Sequence, residues 1–116
     1  MAVKSAKKVV THKNYIAISG MLSEDAETKT TLKGSVHHFL ISTFMNLIST
    51  GDRIDVPCVC SHHDDLGSLL IKDCEVSGQG YLGEDSLGRG TVVITSISLM
   101  EHGVMAQFKL PVLEDF

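Results

Sequence analysis

The sequence of 116 residues has no long hydrophobic run, and this absence excludes several classes of protein. The longest apolar stretch, residues 39–48, is interrupted by Ser42, Thr43 and Asn46, whereas a membrane-spanning helix needs about 20 apolar residues. The positively charged N-terminus also has no apolar block of about 7 to 15 residues, which a secretory signal requires. We therefore expect a cytoplasmic protein without a membrane partner.

Cysteine is also scarce, and Cys58, Cys60 and Cys74 are the three thiols of the chain. The count is odd, and Cys58 and Cys60 are too close on an extended strand to form an ordinary disulfide. This number and spacing of cysteines is typical of a protein in a reducing compartment. Cys58 and Cys60 precede His62 and His63, which are zinc-ligand types, but no second Cys or His pair stands at the separation of structural zinc sites. The sequence therefore predicts no metal and no other cofactor.

Catalytic motifs are absent as well. The chain contains no GxSxG nucleophile elbow, no P-loop and no glycine-rich dinucleotide fingerprint. His62 and His63 stand beside Asp64, but adjacent side chains on a strand point to opposite faces and do not form an acid–base pair. We therefore expect a protein that is not an enzyme.

Hydrophobic residues make up 43% of the chain, and its net charge is −4. This balance is ordinary for one small globular domain and unlike that of segments too polar to bury a core. The charge is uneven, because residues 1–33 carry six lysines against three acids, whereas the remainder carries four bases against eleven acids. A basic region of this kind can attract a polyanion locally even in an acidic protein.

Short β-runs separated by turn residues dominate the sequence, as is typical of a small all-β barrel. In the second run, Phe39 and Ile41 share one face. A helix over 36–48 is the competing interpretation, but the β-branched residues and the flanking glycines favour a strand. Pro57 in the third run requires an edge, a bulge or a strand start. The five predicted strands cover residues 15–22, 36–44, 53–61, 75–82 and 91–100.

The connections between these strands carry further signals. Residues 64–73 hold leucines at helical spacing behind two acids, which predicts a short helix or coil between the third and fourth strands. Gly78 and Gly80 indicate that the fourth strand bends sharply or that another backbone approaches it closely. Residues 83–90 predict a hairpin loop. The predicted divisions are a basic N-terminal arm (1–13), a barrel domain (14–102) and a C-terminal tail or extra strand (103–116).

Five strands with a helix between the third and fourth follow the order of an OB-fold, a partly open Greek-key barrel that often binds oligonucleotides. Residues 16–27 resemble the first strand of bacterial single-stranded DNA-binding proteins, in which an apolar strand leads to Gly, any residue, Leu and an acidic turn. Gly34 with residues 36–43 resembles the second strand of that family. Residues 75–82 and 91–94 resemble its fourth and fifth strands.

The third strand resembles a related family more closely. Residues 56–64, Val-Pro-Cys-Val-Cys-Ser-His-His-Asp, are similar to the third strand of PriB, a family of dimeric primosomal replication proteins with the same barrel. Together the two resemblances cover about residues 14–101. They imply an all-β, five-stranded OB-fold protein that binds single-stranded DNA in replication, recombination or replication restart.

Such binding would combine phosphate contacts with limited base stacking and would be largely independent of sequence. The residues predicted to contact the DNA strand have aromatic, imidazole or basic side chains. They are Lys7, Lys8, Lys13, Lys29, Lys33, His38, Phe44, Arg53, Tyr81 and Arg89.

The sequence departs from these families on the third strand. Its outward positions are expected to be Ile54, Val56, Cys58 and Cys60, where the single-stranded DNA-binding family carries aromatic platforms, and tryptophan is absent from the chain. Stacking contributes about 1 to 3 kcal/mol per base, so we expect weak binding or binding carried elsewhere. The alternative is an OB-fold protein-interaction module that has lost its strand-binding face. Exposed aromatic residues would then be subunit contacts.

The resemblance also implies partners. A homo-oligomer, dimer or tetramer, would form along the first strand, where Tyr15, Ala17 and Ser19 share a face. Glu114, Asp115 and Phe116 resemble the acidic tip with which the single-stranded DNA-binding family recruits partner enzymes, here replication or repair proteins. The alternative interpretation of this end is a further strand over 104–113 packed on the barrel.

Overall fold

The computed structural model describes residues 13–44 and 52–113. These residues form a nearly all-β structure with one short helix. No helix in the described ranges is long and apolar enough to cross a membrane. The elements are β1 (Ile16–Leu22), β2 (Glu27–Thr31), β3 (Gly34–Phe44), β4 (Arg53–Ser61), α1 (Asp64–Gly67), β5 (Glu75–Glu84), β6 (Gly90–Glu101) and β7 (Val104–Lys109).

Five of these strands close into a barrel. The hydrogen-bonded order is β1, β5, β6, β4 and β3, and β3 returns to β1 through the pairs Met21↔Ser42 and Leu22↔Ile41. β4 and β6 run parallel, whereas the other barrel pairs are antiparallel. The prediction of an all-β OB-fold barrel, with a short helix between the third and fourth barrel strands, is confirmed.

Two strands lie outside the barrel ladder and differ from the five-strand prediction. β2 pairs with the first half of β3. All five of its residues are polar and four are exposed, so it has no apolar face. Its β-branched residues Thr28, Thr30 and Thr31 favour a strand, but they produce no apolar alternation. β7 pairs with β6 through a two-residue turn at His102 and Gly103, both with positive φ, and occupies the region expected to hold a tail or an extra strand.

The predicted outward face of β4 is wrong. Cys58 and Cys60 are at most 1% exposed and belong to the barrel core, and Val56 packs against that core. The side of β4 that faces away from the barrel core holds Arg53, Asp55 and Pro57, together with Val59, which is fully buried in a separate cluster with Val36 and Val93. These residues pair with Phe44, Ser42, Leu40 and His38 of β3. The strand contains no aromatic residue, so either assignment leaves β4 without a stacking platform.

A histidine joins the barrel to α1. His37 on β3 is 1% exposed, and its Nε2 accepts the backbone N–H of His63 at 3.1 Å. Nδ1 therefore carries the proton and donates to Thr28 Oγ1 at 2.9 Å. His63 in turn caps α1, because its Nδ1 accepts the N–H of Leu66 at 3.4 Å. This chain of contacts holds Leu66, which is fully buried, at the base of the core.

We expect Cys58 and Cys60 to resist alkylation in the folded protein. Burial raises the pKa of each thiol to about 12, and the thiolate is the reactive form. Burial, with Glu75 nearby, also raises the pKa of Cys74, but this side chain is only half-buried. Iodoacetamide labelling followed by mass spectrometry should show slow modification of Cys74 alone, and three labels after unfolding in guanidinium. Rapid labelling of Cys58 or Cys60 in the native state would contradict the burial of these thiols.

Candidate nucleic-acid interface

OB-folds bind oligonucleotides on the outer face of their second and third barrel strands, between the loops that follow the first and the fourth. In this chain those strands are β3 and β4. Four cross-strand pairs build the outer face, from one end of the strands to the other: Phe44↔Arg53, Ser42↔Asp55, Leu40↔Pro57 and His38↔Val59. We refer to these eight residues as the outer face.

Phe44 and Arg53 form a corner at one end of the outer face. The guanidinium carbon of Arg53 lies 4.6 Å from the centre of the Phe44 ring, within range of a cation–π contact. Arg53 is held in place by Ser42, because its Nε donates to Ser42 Oγ at 3.0 Å and Nη2 donates to Ser42 O at 2.8 Å. Phe44 is 45% exposed. The corner therefore presents an aromatic ring and a fixed cation together, which are the groups that hold a base and its phosphate.

A groove with an apolar lining continues from this corner. It has a volume of about 660 Å³, and Met21, Met100 and Met105 line it together with Phe44 and Arg53. The methionines come from β1, β6 and β7, so the groove exists only in the folded chain. Flexible thioether side chains suit a surface that accommodates different apolar groups.

The other end of the outer face opens into a second groove, of about 610 Å³, which we call the acidic groove. Its floor includes His38, Leu40, Pro57 and Thr91. Its charged lining consists of five acids and one cation: Glu24, Asp25, Glu27, Asp55, Asp85 and Arg89. The charge at this end therefore opposes the approach of a phosphate backbone. No local sequence pattern marks this groove, because its acids come from three separate segments of the chain.

Arg89 forms an ion pair within its own loop. Its Nε donates to Asp85 Oδ2 at 2.9 Å, and the backbone N–H groups of Arg89 and Leu87 donate to Asp85 Oδ1, each at 2.9 Å. The backbone N–H of Arg89 is the largest influence that lowers the pKa of Asp85, followed by the N–H of Leu87 and the Arg89 side chain. The carboxylate organises the hairpin loop and pairs with the charge of Arg89, whose side chain is 72% exposed.

His38 lies half-buried on the floor of the acidic groove. Burial lowers its pKa, and the neighbouring Lys29 lowers it further, whereas Glu27 and Asp85 act in the opposite direction. The imidazole is therefore neutral at pH 7 and serves as a hydrogen-bonding group rather than a phosphate cation.

The aromatic side chain predicted on the fourth barrel strand, Tyr81, is partly buried. Its hydroxyl donates to the carbonyl oxygen of Leu113 at 2.6 Å, and its side chain packs against a buried cluster of Val36, Val59 and Val93. The hydroxyl is thus bound within the chain, to the segment that follows β7.

The predicted lysines are dispersed. Lys13 is exposed just before β1, Lys29 is exposed on β2, and Lys33 is exposed in the turn between β2 and β3. Asn14 fixes the start of the barrel, because its amide exchanges two hydrogen bonds with the backbone of Leu82, at 3.0 and 2.7 Å. The remaining predicted residues, Lys7, Lys8, Glu114, Asp115 and Phe116, lie outside the described residues.

The histidines and cysteines were also considered as metal ligands. Over residues 13–44 and 52–113, no group of three His, Cys, Asp or Glu side chains is arranged to hold an ion. His62 contacts Asp64, Nε2 to Oδ1 at 2.7 Å, and its ring centre lies 4.8 Å from that of His37.

Comparison with known proteins identifies similarity of fold. No protein-family model matches the sequence, and no curated protein matches it significantly. Among solved structures, the fold is similar to the crystal structure of the SSB domain of a protein from Synechococcus sp., with a TM-score of 0.59. The similarity covers 77% of this chain and 98% of that chain at 14% sequence identity. At this identity, the comparison establishes the fold of an SSB domain, and function has to be argued from the surface of this chain.

Proposed function

We propose that this protein binds single-stranded DNA on the outer face of its OB-fold barrel, without strong sequence preference and without catalysis. The Phe44–Arg53 corner carries the proposal, because it places an exposed ring and an oriented guanidinium on the face that OB-folds use for oligonucleotides. The SSB-domain fold supports the same function. Roles in replication, recombination or replication restart, as a homodimer or tetramer, belong to this proposal.

The charges that line the outer face indicate in which direction a bound strand would leave the Phe44–Arg53 corner. A strand that enters at Phe44 and Arg53 meets an apolar groove on one side. On the other side, the carboxylates of the acidic groove begin at Asp55, one cross-strand pair from the corner, and continue along the outer face. We expect one or two nucleotides to be held at the corner, with the chain leading away from the acidic groove. Such a short site gives weak binding per protomer, so a second protomer would strengthen it through avidity.

The acidic groove favours a second candidate function. A groove lined by Glu24, Asp25, Glu27, Asp55 and Asp85 is complementary to a cationic protein segment rather than to a nucleic acid. In this reading the barrel is a protein-interaction module, and the outer face no longer binds a strand.

We expect Phe44→Ala to weaken binding to a fluorescein-labelled dT oligonucleotide about ten-fold or more, because a stacked base contributes about 1 to 3 kcal/mol. Anisotropy titrations at two salt concentrations measure this change. Arg53→Ala should lower the slope of log K against log salt by about 0.7, the value expected for one lost phosphate contact on a single strand. A duplex of equal length should bind more weakly than the single strand.

Two substitutions serve as controls. Ile71→Ala removes an apolar side chain that is 53% exposed, and Lys109→Ala removes an exposed cation; neither residue lines either groove. Both variants should bind dT as the parent does. Undetectable dT binding, or equal losses in Phe44→Ala and Ile71→Ala, would reject the corner as a strand-binding site and favour the protein-interaction module.

A further inference from the structure

The groove that begins at the Phe44–Arg53 corner is an open apolar cleft, and we call it the methionine groove. Its volume is about 660 Å³, and Met21, Met100 and Met105 line it. Met100 on β6 and Met105 on β7 are partners in the ladder, and they are 51% and 60% exposed. Thioether side chains adjust to the shape of what they contact. The methionine groove therefore offers flexible apolar walls beside an exposed aromatic ring.

The methionine groove has one cation and one carboxylate among its described lining residues, Arg53 and Glu75. Arg53 belongs to the corner, whereas Glu75 on β5 pairs with Met21 on β1. Met21 also pairs with Ser42 on β3, so β1 lies between β3 and the strand of Glu75. The two strand spacings from β3 to β5 correspond to about 10 Å. The groove is thus positive at the corner and negative on its far side.

Glu75 is exposed, and its carboxylate is available to a ligand. Within residues 13–44 and 52–113, no hydrogen bond or ion pair engages its side-chain oxygens. Asp85 in the acidic groove differs, because its oxygens accept from the hairpin loop at 2.9 Å. A carboxylate that is not already bound accepts two hydrogen bonds side by side, one on each oxygen.

A guanine nucleotide matches this arrangement of charge. Its phosphate is negative, its base is flat, and the Watson–Crick edge of the base carries two neighbouring donors, N1–H and the N2 amino group. Adenine and cytosine place a single amino group beside a ring-nitrogen acceptor, and thymine places one N–H between two carbonyl oxygens. Guanine is therefore the base whose edge a carboxylate accepts with two hydrogen bonds.

We propose that the methionine groove holds a guanine base of the bound strand, with its phosphate at Arg53, its ring against Phe44 and the methionines, and its N1–H and N2 amino group on Glu75. This inference rests on the proposed function and adds a preference at one nucleotide to binding that is otherwise independent of sequence. It agrees with the expected path of the strand, which leads away from the acidic groove.

Anisotropy titrations with labelled dT oligonucleotides of equal length test this preference. The oligonucleotides carry one central dG, dI, dA or dC, or no replacement. We expect the full-length protein to bind the dG oligonucleotide about five-fold or more tightly than dT, as expected for a bidentate contact to a base edge. Inosine lacks only the N2 amino group, so the dI oligonucleotide should lose most of this gain. Because the number of phosphates is the same, the ratio of dG to dT affinity should not change between two salt concentrations.

Glu75→Gln and Glu84→Gln separate the proposed contact from the effect of charge. Both substitutions remove one exposed carboxylate from β5, but Glu84 lines neither groove. In Glu75→Gln the carboxamide keeps one acceptor oxygen, and its amino group opposes the donors of guanine, so dG and dT affinities should come within about two-fold of each other. Glu84→Gln should keep the parent's ratio, although the loss of a negative charge should slightly strengthen binding to every oligonucleotide.

The outcomes separate this inference from the proposed function. If no oligonucleotide binds the parent, the strand-binding function is wrong and the guanine site falls with it. If the parent binds dT but shows no preference for dG, prefers dA or dC, or binds dI as tightly as dG, strand binding stands and the guanine site is rejected. A dG preference that survives Glu75→Gln, or that Glu84→Gln removes equally, rejects Glu75 as the group that contacts the base.

Discussion

Gly80→Ala is expected to destabilise the barrel by at least about 3 kcal/mol or to prevent its closure. A Cβ atom at this position would lie 1.7 Å from the carbonyl oxygen of Val93, which belongs to the backbone of β6 and cannot rotate away. The register of β5 on β6 shifts between Gln79 and Gly80, so the two backbones approach most closely at this bulge. Urea unfolding followed by far-ultraviolet circular dichroism measures the loss.

Gly90→Ala is the matched control on the next strand. A Cβ atom there would have its nearest neighbour at 3.6 Å, at Leu82 Cδ1, an ordinary van der Waals contact. We expect the unfolding midpoint of Gly90→Ala to stay close to that of the parent. Equal stability of the two alanine variants would show that β5 and β6 do not approach at Gly80 as described.

The second large effect concerns His37. His37→Leu removes a hydrogen-bond partner from Thr28 and from the backbone N–H of His63, and it also weakens the cap of α1. A buried group left without its partner costs about 1 to 3 kcal/mol, so we expect a total loss of about 2 to 4 kcal/mol in the free energy of unfolding. Chemical denaturation at pH 7.5 measures this loss.

The same residue should make the protein sensitive to acid. Burial lowers the pKa of His37, and His62 and His63 lower it further, although the contact of Nε2 with the carbonyl oxygen of His63 at 3.4 Å opposes them because it favours the protonated ring. The unfolded chain then binds a proton near pH 6.5 that the folded chain does not. Stability is therefore complete above about pH 6.5 and falls as the pH drops towards the folded-state value, by at most about 1.4 kcal/mol per pH unit for this one group.

Two variants separate His37 from the other histidines. His38 has a lowered pKa as well, and it leaves a residual slope in His37→Leu. His102→Asn removes an exposed histidine from the turn before β7, where asparagine tolerates the positive φ, and should keep the full acid sensitivity of the parent. A pH profile of His37→Leu as steep as that of the parent would show that His37 is not the acid-sensitive group.

The ladder of barrel strands could be predicted because each strand carries a local pattern. The prediction for the third barrel strand, residues 53–61, matches β4, and the alternation of Phe39 and Ile41 identified the core side of β3. β2 was missed because its residues bury almost nothing, so no apolar period marks it. The face of β4 was inverted because the family resemblance assigned it, although Ile54, Val56, Cys58 and Cys60 alternate as the residues of a core-facing side do.

The corner of the candidate site could also be predicted in part. Phe44 and Arg53 were chosen separately, as an aromatic residue and a cation on adjacent strands, and the register of β3 with β4 then brings them into contact. The same reasoning predicts Arg89 and Tyr81 as contacts. In the structure, Arg89 pairs with the carboxylate of Asp85 four residues away, and the Tyr81 hydroxyl donates to a carbonyl oxygen 32 residues away. Residue type shows what a side chain is able to bind, and it does not show which partner within the chain has already bound it.

Short-range information therefore determined the fold class, since the alternation of apolar residues, the paired glycines of β5 and the two acids in the first turn of α1 each act over a few positions. Long-range contacts determined which side chains lie together on the surface. Five acids from three segments converge on one groove, and the Tyr81 hydroxyl reaches the carbonyl oxygen of Leu113, only after the strands have closed into a barrel. Their positions depend on sheet register and barrel closure, which are properties of paired strands and not of any single stretch of sequence.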